Sequence, residues 1–325
     1  MTDSVSPVRP IASRPLVVIA EHLSDEASDW LAHHCEVIHA AVEDARFIDA
    51  AHDVQALVVR TYTQVDEALL ALLPQLKVVG RAGVGLENID LAACKKRGIV
   101  VVSTPDANTQ AVVEYVLCLL CDALRPRVFL ECAVDKTEWD ELRQEVVGLW
   151  QMDEMVLGIL GMGRVGKRVA QVARAIGFRV LYHDIVAIPF AECHGAECVS
   201  LHDLFAHSDV LSIHIDGGAA NNGFVSAALL AQLHTDAILI NTARGNVIDH
   251  QALAVWLRAN PAGSALLDVH SPEPFVAGNP LIALPNAHLA PHLASRTVTA
   301  MNNMSWVVRD VAEVLQGRTP KFPCA

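Results

Sequence analysis

Aromatic residues are scarce in this chain, at 5 % of 325 positions, while small and aliphatic residues dominate. That balance suits layered βαβ architecture. Basic residues are outnumbered, 24 Lys and Arg against 37 Asp and Glu, giving a formal charge of −13. A basic surface for nonspecific nucleic-acid binding is therefore not expected. No apolar run reaches the ~18 residues of a membrane helix, so no membrane partner is expected. Residues 1–14 are polar, hold Pro7 and Pro10, and lack the apolar stretch of a secretory signal. They read as a loose arm. There is no 20–50-residue repeat and no low-complexity tract.

Eight cysteines are present, without zinc-site order. Cys118 and Cys121 form a CxxC inside an apolar run, with no second CxxC at matching distance. Both read as buried free thiols. Cys193, His194, Cys198 and His202 lie close in sequence, but no regular ligand spacing links them, and they read as surface loop residues. No metal site is expected. The pattern points to a reducing cytoplasm without disulfides.

What is present is alternation. Apolar runs at 16–20, 36–40, 56–60, 77–80 and 99–103 read as strands, with helical stretches at 25–34, 44–52, 66–73 and 90–97 between them. Ser24 stands at the N-cap position of the first helix. An apolar helix then reads from about 108 to 125, stopped by Pro126, followed by a charged helical segment over 128–147. A second block has strands at 156–160, 179–183, 210–215, 237–242, 265–269 and 287–290. Asp209 and Asp236 precede two of them as turn residues. Alternation of this kind implies parallel sheets with helices on both faces. The stretch 295–316 reads as one long helix capped by Gly317. Crossing back to the first block, it would make the second block an insertion: 1–108 plus 295–325 as one domain, 109–294 as the other.

Gly161-Met162-Gly163-Arg164-Val165-Gly166 stands between a predicted strand and an amphipathic helix capped by Gly177. The next strand ends at Asp184. Glycine at 161 permits a tight turn, at 163 lets a pyrophosphate approach the backbone, and at 166 lets the helix pack on the sheet. Arg164 and Val165 open the helix whose N-terminus faces the anion. Asp184 is suited to accept from ribose hydroxyls. Ile185 follows it where an arginine would hold a 2′-phosphate, which favours NAD over NADP. A ligand-free glycine turn would not demand the acid.

Three polar clusters follow strands of the second block: 241–245 with Thr242, Ala243 and Arg244; 268–274 with Asp268 and Glu273; and Pro291-His292. A guanidinium can grip a carboxylate bidentately. A histidine can pass a proton to a carbonyl, and an acid can tune it. Singly, each residue would read as a surface or structural group. Together, beside a dinucleotide site, they suit hydride transfer to a keto acid.

With these residues in place, 15–325 resembles the D-2-hydroxyacid dehydrogenase family. The family's NTARG, LDVxxxEP and PH motifs match 241–245, 267–274 and 291–292, and its GRAGVGxxNID motif matches 80–90. The resemblance implies a discontinuous flavodoxin-like substrate domain, an inserted Rossmann NAD-binding domain and a homodimer formed through the latter. It assigns Arg244 to substrate binding and polarisation, His292 to acid–base chemistry, and Glu273 to raising the pKa of His292. Thr242, Ala243 and Asp268 would contact NAD, with Asp268 on the nicotinamide side. Arg60, Arg81, Val84, Gly85 and Asn108 would contact a small 2-hydroxy or 2-keto acid.

Within the family, Arg60, Arg81, the run 59–63 and the run 104–108 resemble the D-3-phosphoglycerate dehydrogenase branch. Both arginines motivate an anionic C3–C4 substrate bound between the domains. Against this, Gln64 and Asp106 depart from that branch, and the chain stops without its regulatory domain. Ile215-Asp216-Gly217-Gly218 replaces the usual proline-containing loop beside the cofactor. Glyoxylate or hydroxypyruvate reduction remains an alternative. The 268–275 run also resembles the C-terminal-binding protein corepressors, although no basic localisation cluster accompanies it.

Overall fold

The structure is a computed structural model that describes residues 14–125 and 127–324. The arm expected at 1–14, apart from Arg14, and the Pro126 helix stop lie outside the described residues. The chain divides into two compact units, one running to Asn108 and resuming at Val298, the other spanning Thr109–Thr297.

The first unit alternates β1 (Leu16–Ile19), α1 (Asp25–Ala32), β2 (Glu36–His39), α2 (Ala45–Ala50), β3 (Ala56–Val59), α3 (Glu67–Ala71), β4 (Val78–Arg81), α4 (Leu91–Lys96) and β5 (Val100–Val102). Asp44, Asp66 and Asp90 accept backbone N–H bonds at the starts of α2, α3 and α4. Each such cap contributes about 1 kcal/mol. Ser24 stands at the N-cap of α1 but does not cap it through its side chain. Its N–H donates instead to Ser305 Oγ at 3.0 Å.

The second unit holds α5 (Thr109–Leu124), α6 (Lys136–Glu145), β6 (Val156–Leu160), α7 (Arg164–Ala175), β7 (Arg179–His183), β8 (Glu197–Cys198), α8 (Leu201–His207), β9 (Val210–Ile213), α9 (Ala227–Leu230), β10 (Ile238–Asn241), α10 (His250–Ala259), β11 (Ser264–Leu267) and β12 (Ala287–Leu289). The chain returns to the first unit with α11 (Val298–Ser305), α12 (Val307–Leu315) and β13 (Pro323–Cys324).

The first sheet runs β13-β5-β4-β3-β1-β2, all parallel except β13. Its first five strands have the flavodoxin order. The second sheet runs β12-β11-β10-β9-β6-β7-β8 and is wholly parallel, with the Rossmann order at its centre. Central strands such as β3 and β9 are buried at every position, which explains their unbroken apolar runs. The α/β fold is the one the sequence implied.

The expected single helix over 295–316 is two helices. Trp306 interrupts it with ψ near 4° and donates to Asn303 O, a 3₁₀-type step. Its ring lies edge-on to Trp30 of α1 at 6.2 Å. Val307, Val308 and Val311 of α12 are buried against the first sheet. Burying each contributes about 1.5–3 kcal/mol. The contact needs Gly80 on β4, where a Cβ would come within 2.6 Å of Val311. The short β13 gave no sequence signal. Asp310 holds it near by accepting from the N–H groups of Lys321 and Phe322.

The charged segment over 128–147 is helical only across α6. Cys118 is exposed and Cys121 half-buried, contrary to expectation. The inward face of α5 runs through Val113, Val116, Leu120 and Leu124, which leaves Cys118 on the opposite side. Cys193 departs the other way. It is buried, with its sulfur 3.2 Å from the Tyr182 hydroxyl. All eight cysteines are free. Among the described residues, no group of three or more His, Cys, Asp and Glu could hold a metal, and no helix is long and apolar enough to cross a membrane.

Candidate active site

In a parallel sheet every strand delivers its following loop to the same edge. Along that edge of the second unit stand the glycine loop after β6, Asp184 after β7, His214 after β9, Arg244 after β10, Glu273 after β11 and His292 after β12. The sheet order changes direction between β6 and β9, where ligands of such sheets bind.

Each glycine of the 161–166 loop has a visible reason. Gly161 has φ +95°, and its Cβ would strike the His214 carbonyl. A Cβ on Gly166 would lie 2.1 Å from the Gly161 oxygen, so α7 packs against the loop only without one. A Cβ on Gly163 would meet nothing within 4 Å, and no side chain caps α7 there. That open approach to a helix N-terminus suits a pyrophosphate. Asp184 is tied to the loop, since its Oδ2 accepts from Met162 N–H at 2.6 Å and its Oδ1 from Val186 N–H at 2.8 Å. Ile185 beside it is 96 % exposed. The buried Thr242 hydroxyl has no protein partner. An open glycine loop, an acid at the next strand end and an unsatisfied buried hydroxyl fit a dinucleotide.

Arg244 is half-buried and donates to Ala243 O at 2.7 Å. Asn241 braces its turn by donating to Arg244 O and accepting from Ala243 N–H. The unusual 215–218 loop packs directly on this arginine: a Cβ on Gly217 would lie 2.7 Å from Arg244 Cγ. Glu273 Oε2 is 2.7 Å from His292 Nδ1, and Glu273 Oε1 accepts from His270 N–H at 2.7 Å. Burial pushes the Glu273 carboxyl up, but the bonds from His292 and His270 outweigh it and hold it below the usual range. It is thus a carboxylate facing an imidazole.

Asp268, expected on the nicotinamide side, is tied to the His292 loop. It has no exposed surface, and its oxygens accept from the N–H groups of Leu293 and Ala294, both at 2.7 Å. Its own carbonyl accepts from His292 N–H. Asp268 therefore holds the His292 loop, whose φ of +56° requires such support. Burial raises its pKa above the ordinary aspartate value despite these bonds.

His214 gave no sequence signal. Its Nε2 lies 2.9 Å from Ser212 Oγ, and burial pushes its pKa down to about 4. It is a neutral ring beneath the glycine loop.

The remaining expected residues belong to the first unit. Arg81 is buried, donates to Ala82 O at 2.8 Å and lies against Gly83, where a Cβ would sit 2.0 Å from its Nη1. These contacts support the loop that follows β4. Arg60 reaches Met301 Sδ and His22 O. Val84, Gly85 and Asn108 are half-buried. Sequence reasoning missed Glu21. Its carboxylate accepts from the N–H groups of Arg60, Thr61, Tyr62 and Thr63, while Asn88 donates to the carbonyls of Arg60 and Thr63. The loop carrying Arg60 is clamped on both sides.

The family of D-isomer specific 2-hydroxyacid dehydrogenases, through its NAD binding domain, matches residues 117–294. A D-3-phosphoglycerate dehydrogenase of Archaeoglobus fulgidus is 32 % identical over 305 residues, 93 % of this chain and 57 % of that protein. The chain thus spans little more than half the length of that relative. An (S)-sulfolactate dehydrogenase of Chromohalobacter salexigens is 34 % identical over 90 % of this chain and 96 % of its own length. The crystal structure of a glyoxylate reductase from Paecilomyes thermophila superposes with a TM-score of 0.82 at 26 % identity, covering 96 % of this chain and 98 % of that one. The chain belongs to the D-isomer specific 2-hydroxyacid dehydrogenase family, and its second unit is the NAD-binding domain.

Proposed function

We propose that this chain is an NAD-dependent D-2-hydroxyacid dehydrogenase that interconverts a small 2-keto acid and its 2-hydroxy acid. The observation that carries the reading is the 2.7 Å pair of His292 Nδ1 and Glu273 Oε2 on the sheet edge that bears the glycine loop and Arg244. NADH held there would supply the hydride for the keto carbon. Arg244 holds the substrate carboxylate and polarises the carbonyl. Glu273 occupies the Nδ1 side of His292, leaving Nε2 to give its proton to the carbonyl oxygen. The 2.7 Å contact with Glu273 fixes the orientation of the ring while that proton is delivered. The open N-terminus of α7 at Gly163 and the Asp184 carboxylate would hold the dinucleotide. Asp184 disfavours a 2′-phosphate.

The relatives carry different substrate names. Arg81 is buried and donates to Ala82 O, which supports reading the substrate as an unphosphorylated acid of two to four carbons, such as glyoxylate or hydroxypyruvate. A phosphorylated C3 acid is the second reading, favoured by Arg60. Exposed Phe129, Trp139 and Leu149 on the second unit support a homodimer, and eight free thiols support a cytoplasmic setting.

The test is NADH oxidation with glyoxylate, hydroxypyruvate, phosphohydroxypyruvate and 2-ketoglutarate, in the parent and in His292→Ala. The variant is expected to lose roughly 10²–10⁴ in kcat with its fold intact. Near-normal turnover in a folded His292→Ala would refute the assignment. Arg60→Gln should hurt phosphohydroxypyruvate far more than glyoxylate only if the second reading holds.

A further inference from the structure

Resting on the functional reading above, we propose that His270 is a positioning residue that fixes the Glu273–His292 pair. It is buried and touches the segments that bear Arg244, Glu273 and His292. Its backbone is so close to Gly245, next to Arg244, that a Cβ there would lie 2.0 Å from the His270 carbonyl carbon. Its N–H donates to Glu273 Oε1 at 2.7 Å. Its ring Nε2 is 2.8 Å from Ala290 O, two residues before His292. A carbonyl only accepts, so Nε2 carries the hydrogen. The other face of the ring meets Phe275 edge-on at 4.7 Å, two residues after Glu273.

One side chain thus ties the exit of β12, which bears His292, to the turn after β11, which bears Glu273. Neither group of the pair is deeply buried, with side chains 39 % and 33 % exposed. Their alignment therefore depends on the backbones beneath them. Nδ1 of His270 is buried without a protein partner, so the ring's single hydrogen bond is the one to Ala290. Removing that donor releases the Ala290 end of the loop, which Asp268 still holds at Leu293 and Ala294, and lets His292 shift against Glu273 while leaving the glycine loop untouched. Displacements near 1 Å at a reacting group can cost on the order of a hundredfold in rate.

The experiment compares His270→Phe, which keeps a ring against Phe275 but has no donor, with His270→Gln, whose amide reaches the same carbonyl. His270→Phe should lower kcat about ten- to a hundredfold, with keto-acid KM and NADH Kd within twofold of the parent. His270→Gln should restore most of the loss. His270→Met, as long as glutamine but without a donor, replaces the phenylalanine variant if that one does not fold, and should behave like it. A second readout needs no turnover. In ¹⁵N-histidine-labelled protein the downfield His292 Nδ1–H resonance, assigned by its absence in His292→Gln, should be retained in His270→Gln and lost or broadened in the donorless variants. Full kcat and an unchanged resonance in a folded donorless variant overturn the proposal, as does a folded glutamine variant no better than methionine. If the parent reduces no keto acid, the functional reading falls, and the resonance alone still decides whether His270 positions the pair.

Discussion

Replacing Glu21 with glutamine tests how the Arg60 loop is held. The native carboxylate takes four donors: Arg60 and Thr63 N–H on Oε1 at 2.9 and 3.0 Å, Thr61 and Tyr62 N–H on Oε2 at 3.1 and 3.2 Å. Glutamine keeps one oxygen, which will settle on the half-buried Arg60 and Thr63 pair. Its amide nitrogen then faces two donors. A lost charge-assisted bond costs about 1.5–3 kcal/mol when buried. Thr61 and Tyr62 are exposed, so water takes over their amides, and the expected loss at pH 7 shrinks to about 1–2 kcal/mol.

Acidity supplies the sharper check. Burial pushes the Glu21 carboxyl up, yet the backbone donors outweigh it and hold it below its usual 4.5. A depressed carboxylate contributes stability that is complete above the unfolded value and disappears as pH falls through the folded one. Glutamine does not titrate. Urea titrations should therefore separate parent and Glu21→Gln at pH 7 and bring them together as pH falls through the lowered Glu21 value, with hydrogen exchange over 60–63 faster in the variant at pH 7. A stability gap that is constant or grows on acidification would defeat the reasoning.

Two further outcomes are expected. Asp184→Ala combined with Ile185→Arg should relax or reverse the preference for NADH over NADPH, each tenfold amounting to ~1.4 kcal/mol; equal kcat/KM for both cofactors in the parent would refute the role of Asp184. Arg244→Lys keeps the charge but loses the planar fork, so keto-acid KM should rise and turnover fall with NADH affinity little changed; unaltered kcat/KM for every 2-keto acid would remove Arg244 from the substrate site.

Legibility in the sequence followed how local each cause is. Strands buried on both faces announce themselves as unbroken apolar runs, and β3 and β9 were readable for that reason. The glycine motif was readable because Gly161 and Gly166 answer constraints within a few residues or at the adjoining strand, while Gly163 leaves the helix N-terminus open. The positions of Arg244, Glu273 and His292 were readable because each follows a strand in a recognisable run. What escaped depends on partners far along the chain. Glu21 looks like any exposed acid until the loop 40 residues later folds onto it. Asp268 and His270 sit inside a motif, yet their contacts with Leu293, Ala294 and Ala290 have no local signature. Arg81 matched a motif whose supporting role in its own loop only geometry reveals. Trp306 broke a helix whose apolar spacing continues through it, because its ring docks on Trp30.

The return of α12 to the first sheet also sets an order of events during synthesis. Val17, Ile19, Val58 and Val78 share a core cluster with Val307, Val308 and Val311. At ~5–20 residues per second on the ribosome, the stretch from Thr109 to Thr297 occupies roughly ten to forty seconds. Throughout that interval the second unit can gather its own core, while one face of the first sheet waits in water for its missing helix. A nascent chain in this state presents a strip of valine and isoleucine to whatever is near. Early termination anywhere before Val307 would make that exposure permanent, so truncated products should be the aggregation-prone and chaperone-bound species in a producing cell.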